Sequence, residues 1–271
     1  MNRVEIFLNI LIFVMGAMMG SAANALIDRL PRRESWFKGR SHCDRCGHTL
    51  EIIDLIPIIS YVSLLPMWKI PNSKHEKKKL WYQAGCRYCE AAIPFRNTLV
   101  EIFMGIGFVV LSTKYEGLIL YSILLMGILW VTTIIAVMDW ETKLVSEVMV
   151  GIWAVLVVIL NISNLGNLSN LGGLVVAVIV IGGLWAISKG KAMGFGDVEI
   201  AAVMGFWLGW PAIAPALWVA FVTGAIAGSI QLIANRKTLK SQIAFGPFLV
   251  LAAWVGYFIG DKILIWSGLM F

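Results

Sequence analysis

The chain has 271 residues, 59% hydrophobic and 14% charged, with a net charge of +6 and a mean hydropathy of +0.82. One water-facing core cannot hide that much apolar surface, so an ordinary soluble globule is excluded and a polytopic membrane protein is expected. The apolar runs are continuous and not period-two, which favours helices of roughly 20 residues over a barrel.

Taken in chain order, the runs predict about eight spans, at 4–26, 98–112, 117–138, 145–162, 170–187, 198–210, 212–234 and 243–266. Arg3 and Glu5 stand at the head of the first run, which lacks a small-residue cleavage site, so a retained helix is expected there and not a removed signal peptide. With eight spans, 19 of the 22 lysines and arginines fall on one side, and only Arg3, Lys114 and Lys262 on the other. The positive-inside rule then puts both termini outside and the loop 28–97 in the cytoplasm. Topology and contact with anionic lipid headgroups account for the net charge, and no nucleic-acid partner is required.

Residues 28–97 form the one segment long and polar enough for a water-facing domain. The expected organisation is therefore a first helix over 1–27, a cytoplasmic domain over 28–97 and a membrane domain over 98–271. All four cysteines lie in the cytoplasmic segment, as Cys43-Asp-Arg-Cys46 and Cys86-Arg-Tyr-Cys89. Two C-x-x-C knuckles can close a tetrahedral four-thiolate shell around a structural zinc, with Gly47 relaxing the first turn. Disulfides and a thioredoxin-like redox pair are the alternatives. A reducing cytosol opposes the first, and the lack of a βαβ pattern opposes the second. His42 and His48 flank the first knuckle as rival ligands, and the run Lys74 to Lys79 between the pairs reads as a solvated loop. Further along, the Asn/Ser/Gly cluster from Asn161 to Asn170 reads as an external loop whose two Asn-x-Ser sequons are turn chemistry.

Two aspartates stand apart from the other four. Asp139 ends one span as it reaches the cytoplasm, and Asp197, in "KAMGFGDVEI", begins a span that leaves it. Ionisable groups at membrane depth are costly and usually face a cavity, a partner or a transport path. Two carboxylates that share a site do not both ionise easily, which suits one to act as a general base for water and the other as a general acid at an amide. Gly194 and Gly196 would let an extended peptide approach Asp197. A helix-breaking turn followed by a capping aspartate explains the same residues, and a proton or cation relay in a transporter explains the same pair. A non-enzymatic assembly scaffold that docks partners through the knuckles is a third reading.

The ordered stretches "GSAANALIDRLPR", "SHCDRCGHTLEIIDLIPIISY", "CRYCEAAIPFRNTLVE", "MGFGDVEI" and "IAFGPFL" resemble the type IV prepilin peptidases, membrane aspartyl proteases of the Gly-x-Gly-Asp type. The resemblance implies an all-α polytopic membrane protein of the inner membrane, with a small zinc-binding cytoplasmic domain inserted after the first helix. It implies Asp139 and Asp197 as the catalytic pair, and removal of a short basic leader from prepilins or pseudopilins at the cytoplasmic face. Methylation of the new amino terminus with S-adenosylmethionine, linked to the zinc-bearing domain, is implied as a second activity. Gly194, Gly196, Glu101 and Glu199 are expected to support or bind substrate, and Glu141 and Glu147 lie near the same face. The chain departs from the family in a longer segment between the knuckles, in Glu199 where a lysine is common, and in "LVSE" after the first aspartate. Neither the identity of the pilin nor the oligomeric state is legible.

Overall fold

The computed structural model describes residues 3–32, 34–35, 43, 46–49, 57, 86, 88–89, 93–162, 167–191, 193–233 and 244–266. Among them the architecture is helical: α1 (Arg3–Arg29), α2 (Phe95–Lys114), α3 (Ile119–Thr142), α4 (Glu147–Leu160), α5 (Leu168–Ser188), α6 (Phe195–Leu208), α7 (Ile213–Ile233) and α8 (Gly246–Trp266). Each expected apolar run has its helix. Five of them, α1, α2, α3, α5 and α7, are long and apolar enough to cross a membrane, whereas α4 and α6 have 14 residues each. The largest boundary difference is at the end of α3, which runs four residues past the expected 138 and so contains Asp139, while α2 and α6 each begin three residues before the expected 98 and 198. Asp197 is therefore inside the first turn of its helix and not ahead of it. His42 and the Lys74 to Lys79 run lie outside the described residues.

The chain divides into two compact units, Met1–Trp130 and Val131–Phe271, with the boundary inside α3. In the first unit α1 packs against α2 through glycines. A Cβ on Gly16 would lie 2.6 Å from the Met104 carbonyl oxygen, and one on Gly20 would lie 2.7 Å from Glu101 Cα. The Gly-x-x-x-Gly spacing brings both glycines to one helix face, where backbones can approach closely without relying on a hydrophobic force that lipid cannot supply. At the polar end of this pair, Asn24 Nδ2 donates to the Asn97 carbonyl at 2.9 Å, and Arg96 Nη2 pairs with Asp28 Oδ1 at 2.9 Å. The stretches "GSAANALIDRLPR" and "PFRNTLVE" thus meet in space.

In the second unit α5 and α6 also meet backbone to backbone, since a Cβ on Gly205 would lie 2.5 Å from the Gly173 carbonyl oxygen. Trp207 anchors an aromatic cluster with Trp153, Trp254 and Tyr257 at centroid distances of 6.1, 5.1 and 4.9 Å. Trp254 Nε1 donates to Thr132 Oγ1 at 3.1 Å, and Gly246 N–H donates to Asp139 Oδ2 at 2.9 Å. These two bonds run in opposite chain directions, so α3 and α8 are antiparallel and locked in register. Ser146 caps α4 by accepting from Met149 N–H, and Asn167 caps α5 by accepting from Ser169 N–H. The capping role of Asn167 agrees with reading its sequon as turn chemistry.

Candidate active site

Three segments of the second unit build the site. The first is the end of α3, which carries Asp139 and closes when Lys143 N–H donates to the Asp139 carbonyl at 2.8 Å. Lys143 takes a left-handed φ of 58°, which ends the helix and turns the chain toward Ser146. The second is the Gly-x-Gly-Asp turn. Gly194 is the N-cap of α6, and Asp197 is at its third position, where Oδ2 accepts from Gly194 N–H at 3.1 Å. The capping reading of this aspartate is therefore met by its geometry, and it sits where a carboxylate is favoured by the helix dipole. The third is the start of α8, whose Gly246 N–H holds Asp139.

Asp139 and Asp197 are both buried, at 4% and 6% exposure, and both line one cavity of about 240 Å³. Each gives one oxygen to a glycine N–H. The second oxygen of each carboxylate takes no hydrogen bond among the described residues, which leaves one acceptor per aspartate for water or a peptide. Lys143, Glu147 and Glu199 line the same cavity, as do Gly194 and Gly196. Glu101 lies in the first unit, buried beside Gly20 of α1. Glu141 is exposed and absent from the lining.

The two glycines of the motif differ. A Cβ on Gly194 would sit 3.9 Å from Asp197 Oδ2, an ordinary contact, whereas a Cβ on Gly196 would sit 2.6 Å from Val145 Cβ. Gly246 is crowded in the same way, with Asp139 Oδ2 at 2.7 Å from its Cβ position. Gly246, within "IAFGPFL", carries no local sign in the sequence of its tie to a carboxylate 107 positions away.

The cysteine region lies in the first unit. The Sγ atoms of Cys43, Cys46, Cys86 and Cys89 all lie within 4.8 Å of one another, with Cys43 and Cys89 at 3.6 Å. A tetrahedron with zinc–sulfur bonds of roughly 2.3 Å spaces its sulfurs roughly 3.8 Å apart, so the donor set fits a four-thiolate metal site. None of the four cysteines is in a disulfide, which requires a far shorter separation. Gly47, at φ 68°, donates its N–H to the Cys43 carbonyl at 2.9 Å, which closes the knuckle turn. His48 is outside the sulfur cluster and lies against Tyr88, with ring centroids 3.6 Å apart and planes tilted by 37°, tying one knuckle to the other.

Residues 14–66 match the bacterial peptidase A24 N-terminal domain, and residues 126–229 match the type IV leader peptidase family, together more than half of the chain. The chain is 29% identical to a prepilin leader peptidase/N-methyltransferase of Aeromonas salmonicida (strain A449), covering 94% of this chain and 92% of that protein. It is 24% and 25% identical to proteins of the same name from Pseudomonas putida and Pseudomonas aeruginosa, each covering 92% of this chain and 90% of the relative. No solved structure matches it.

Proposed function

Because the chain belongs to the type IV leader peptidase family, we propose that it is a membrane aspartyl endopeptidase that removes the short basic leader from type IV prepilins or pseudopilins, with Asp139 and Asp197 as its catalytic pair. The observation that carries this reading is the pair of buried carboxylates on one cavity, each tied down through a single oxygen. In the proposed reaction the pair begins with one proton between its members. The ionised carboxylate takes a proton from water as the water oxygen adds to the scissile carbonyl. The oxyanion then collapses, the carbon–nitrogen bond breaks, and the protonated partner gives its proton to the leaving nitrogen, so the pair again holds one proton. Burial favours this chemistry because fixed groups act more strongly on charge in a low-dielectric site.

Gly194, Gly196 and Glu199 support the substrate path in this reading, since all three line the cavity. Glu101 is proposed to support the chain from the first unit. The four cysteines hold one structural zinc in a shell with no open position. The functional division follows residues 1–27, 28–97 and 98–271, with the protein multi-pass in the inner membrane and both the zinc region and the active site facing the cytoplasm. The relatives' names carry N-methyltransferase as well, and methylation of the new amino terminus, with S-adenosylmethionine supplying the methyl group, is proposed as the second activity.

The test is to incubate purified full-length protein with a synthetic substrate that has a basic leader followed by an apolar helix, with and without S-adenosylmethionine. Mass spectrometry reads shortening and amino-terminal methylation separately. Cleavage without an ion gradient is expected, and its absence would leave a carboxylate relay as the better explanation of the pair.

A further inference from the structure

We infer that Val145 is the spacer that sets the separation of the two aspartates, and that Gly196 is a glycine because Val145 occupies the place its side chain would take. This inference rests on the catalytic reading of Asp139 and Asp197.

Asp139 reaches Val145 through a short, tightly bonded connection. Lys143 N–H is held by the Asp139 carbonyl at 2.8 Å, Thr142 Oγ1 donates to the Met138 carbonyl at 2.7 Å, and Leu144 N–H donates to Thr142 Oγ1 at 3.3 Å. On the other side, Ser146 is the N-cap of α4. Val145 is thus fixed between a closed helix end and a capped helix start. Its β-branched side chain is stiff about χ1 and cannot swing aside cheaply. Gly196 directly precedes Asp197 in the first turn of α6, so whatever touches Gly196 sets where the Asp197 backbone rests.

The contact is one-sided in a useful way. A Cβ on Gly196 would meet Val145 Cβ at 2.6 Å, Cγ2 at 2.8 Å and Cγ1 at 3.1 Å, and no atom of another residue is as near. Gly196 has no positive φ, so backbone strain does not require glycine there. Gly194, two residues earlier, has room for a methyl group. The contact with Val145 therefore gives the second glycine of the motif a packing reason of its own. An added methyl would push α6 away from the Lys143–Ser146 connection and carry Asp197 away from Asp139. A displacement near 1 Å at a reacting group can cost roughly 10²-fold in rate.

The test is a size swap in full-length protein, with cleavage of the same synthetic substrate as readout. Gly196→Ala is expected to lower kcat roughly 10²-fold because the pair is spread, an effect larger than any on KM from the added methyl in the cavity that Gly196 lines. Val145→Gly removes all three crowding atoms, so the double variant G196A/V145G is expected to recover at least tenfold of the lost kcat. V145A leaves the nearest atom in place and should recover much less. Val145→Gly alone is expected to lower kcat several-fold, which keeps the inference testable if Gly196→Ala fails to insert. A folded Gly196→Ala protein that the swap does not rescue, or unchanged kcat in Val145→Gly alone, overturns the spacer. Asp139→Asn in parallel separates the two failures: activity in that variant removes the catalytic pair itself, whereas an inactive Asp139→Asn protein without rescue removes only the spacer.

Discussion

Asp139 and Asp197 share a pattern of restraint in which one carboxylate oxygen is spent on a glycine N–H and the other is left for chemistry. Asparagine keeps an oxygen that can accept the same N–H but cannot exchange a proton. Asp139→Asn and Asp197→Asn are therefore expected to remain folded and membrane-inserted while losing cleavage by at least about 10³-fold, checked by substrate shortening beside thermal unfolding. The glycine donors are not equivalent. Gly246→Ala places a methyl 2.7 Å from Asp139 Oδ2 and should reduce cleavage roughly 10²-fold, whereas Gly194→Ala, with 3.9 Å of clearance, should stay within a few-fold of the parent. Equal losses in the two variants would show that the donors act through something other than space around the carboxylates.

At the scale of elements, glycines decide which helices can touch. Gly16 and Gly20 put α1 against α2, and Gly173 and Gly205 put α5 against α6. Gly20→Leu is expected to separate α1 from α2 and lower the thermal midpoint of the purified protein, because bulk at a backbone contact cannot be relieved by a rotamer change. In the second unit, Trp254→Phe keeps a six-membered aromatic ring but removes the N–H that bonds Thr132 together with its five-membered ring, an expected loss of at least about 1 kcal/mol. That bond also keeps α8 in register with α3, so the same variant should reduce cleavage through Gly246 and Asp139. Preserved activity with lowered stability would mean the register is held elsewhere.

At the scale of the whole molecule, the two compact units carry different chemistry. The first holds the four-cysteine cluster, and the second holds the two aspartates. Purified protein is expected to contain about one zinc per chain by metal analysis, and C43S/C46S to contain none. Methyl transfer to a pre-cleaved substrate should fall further in that variant than cleavage does. Normal methylation in the variant would remove the cysteine region from that activity.

Composition alone determined that this is a helical membrane protein, since continuous apolar runs leave lipid as their solvent and helices as the structure that satisfies the backbone within it. Each run became a helix, because hydropathy is a local property that survives without tertiary information. The C-x-x-C pairs and the two aspartates were legible for a similar reason: few cysteines and few intramembrane charges make each one conspicuous. Tertiary structure decided the rest. Gly246 holds Asp139 across 107 positions, and Val145 stands against Gly196 across the fold; neither relation leaves a local trace. Likewise, the place of Glu101 beside Gly20 in the α1–α2 packing and the contact of Gly196 with Val145 appear only in the fold. Charge and hydropathy are carried by single residues, but the room around a residue is made by others distant in the chain, and only the folded structure brings them together.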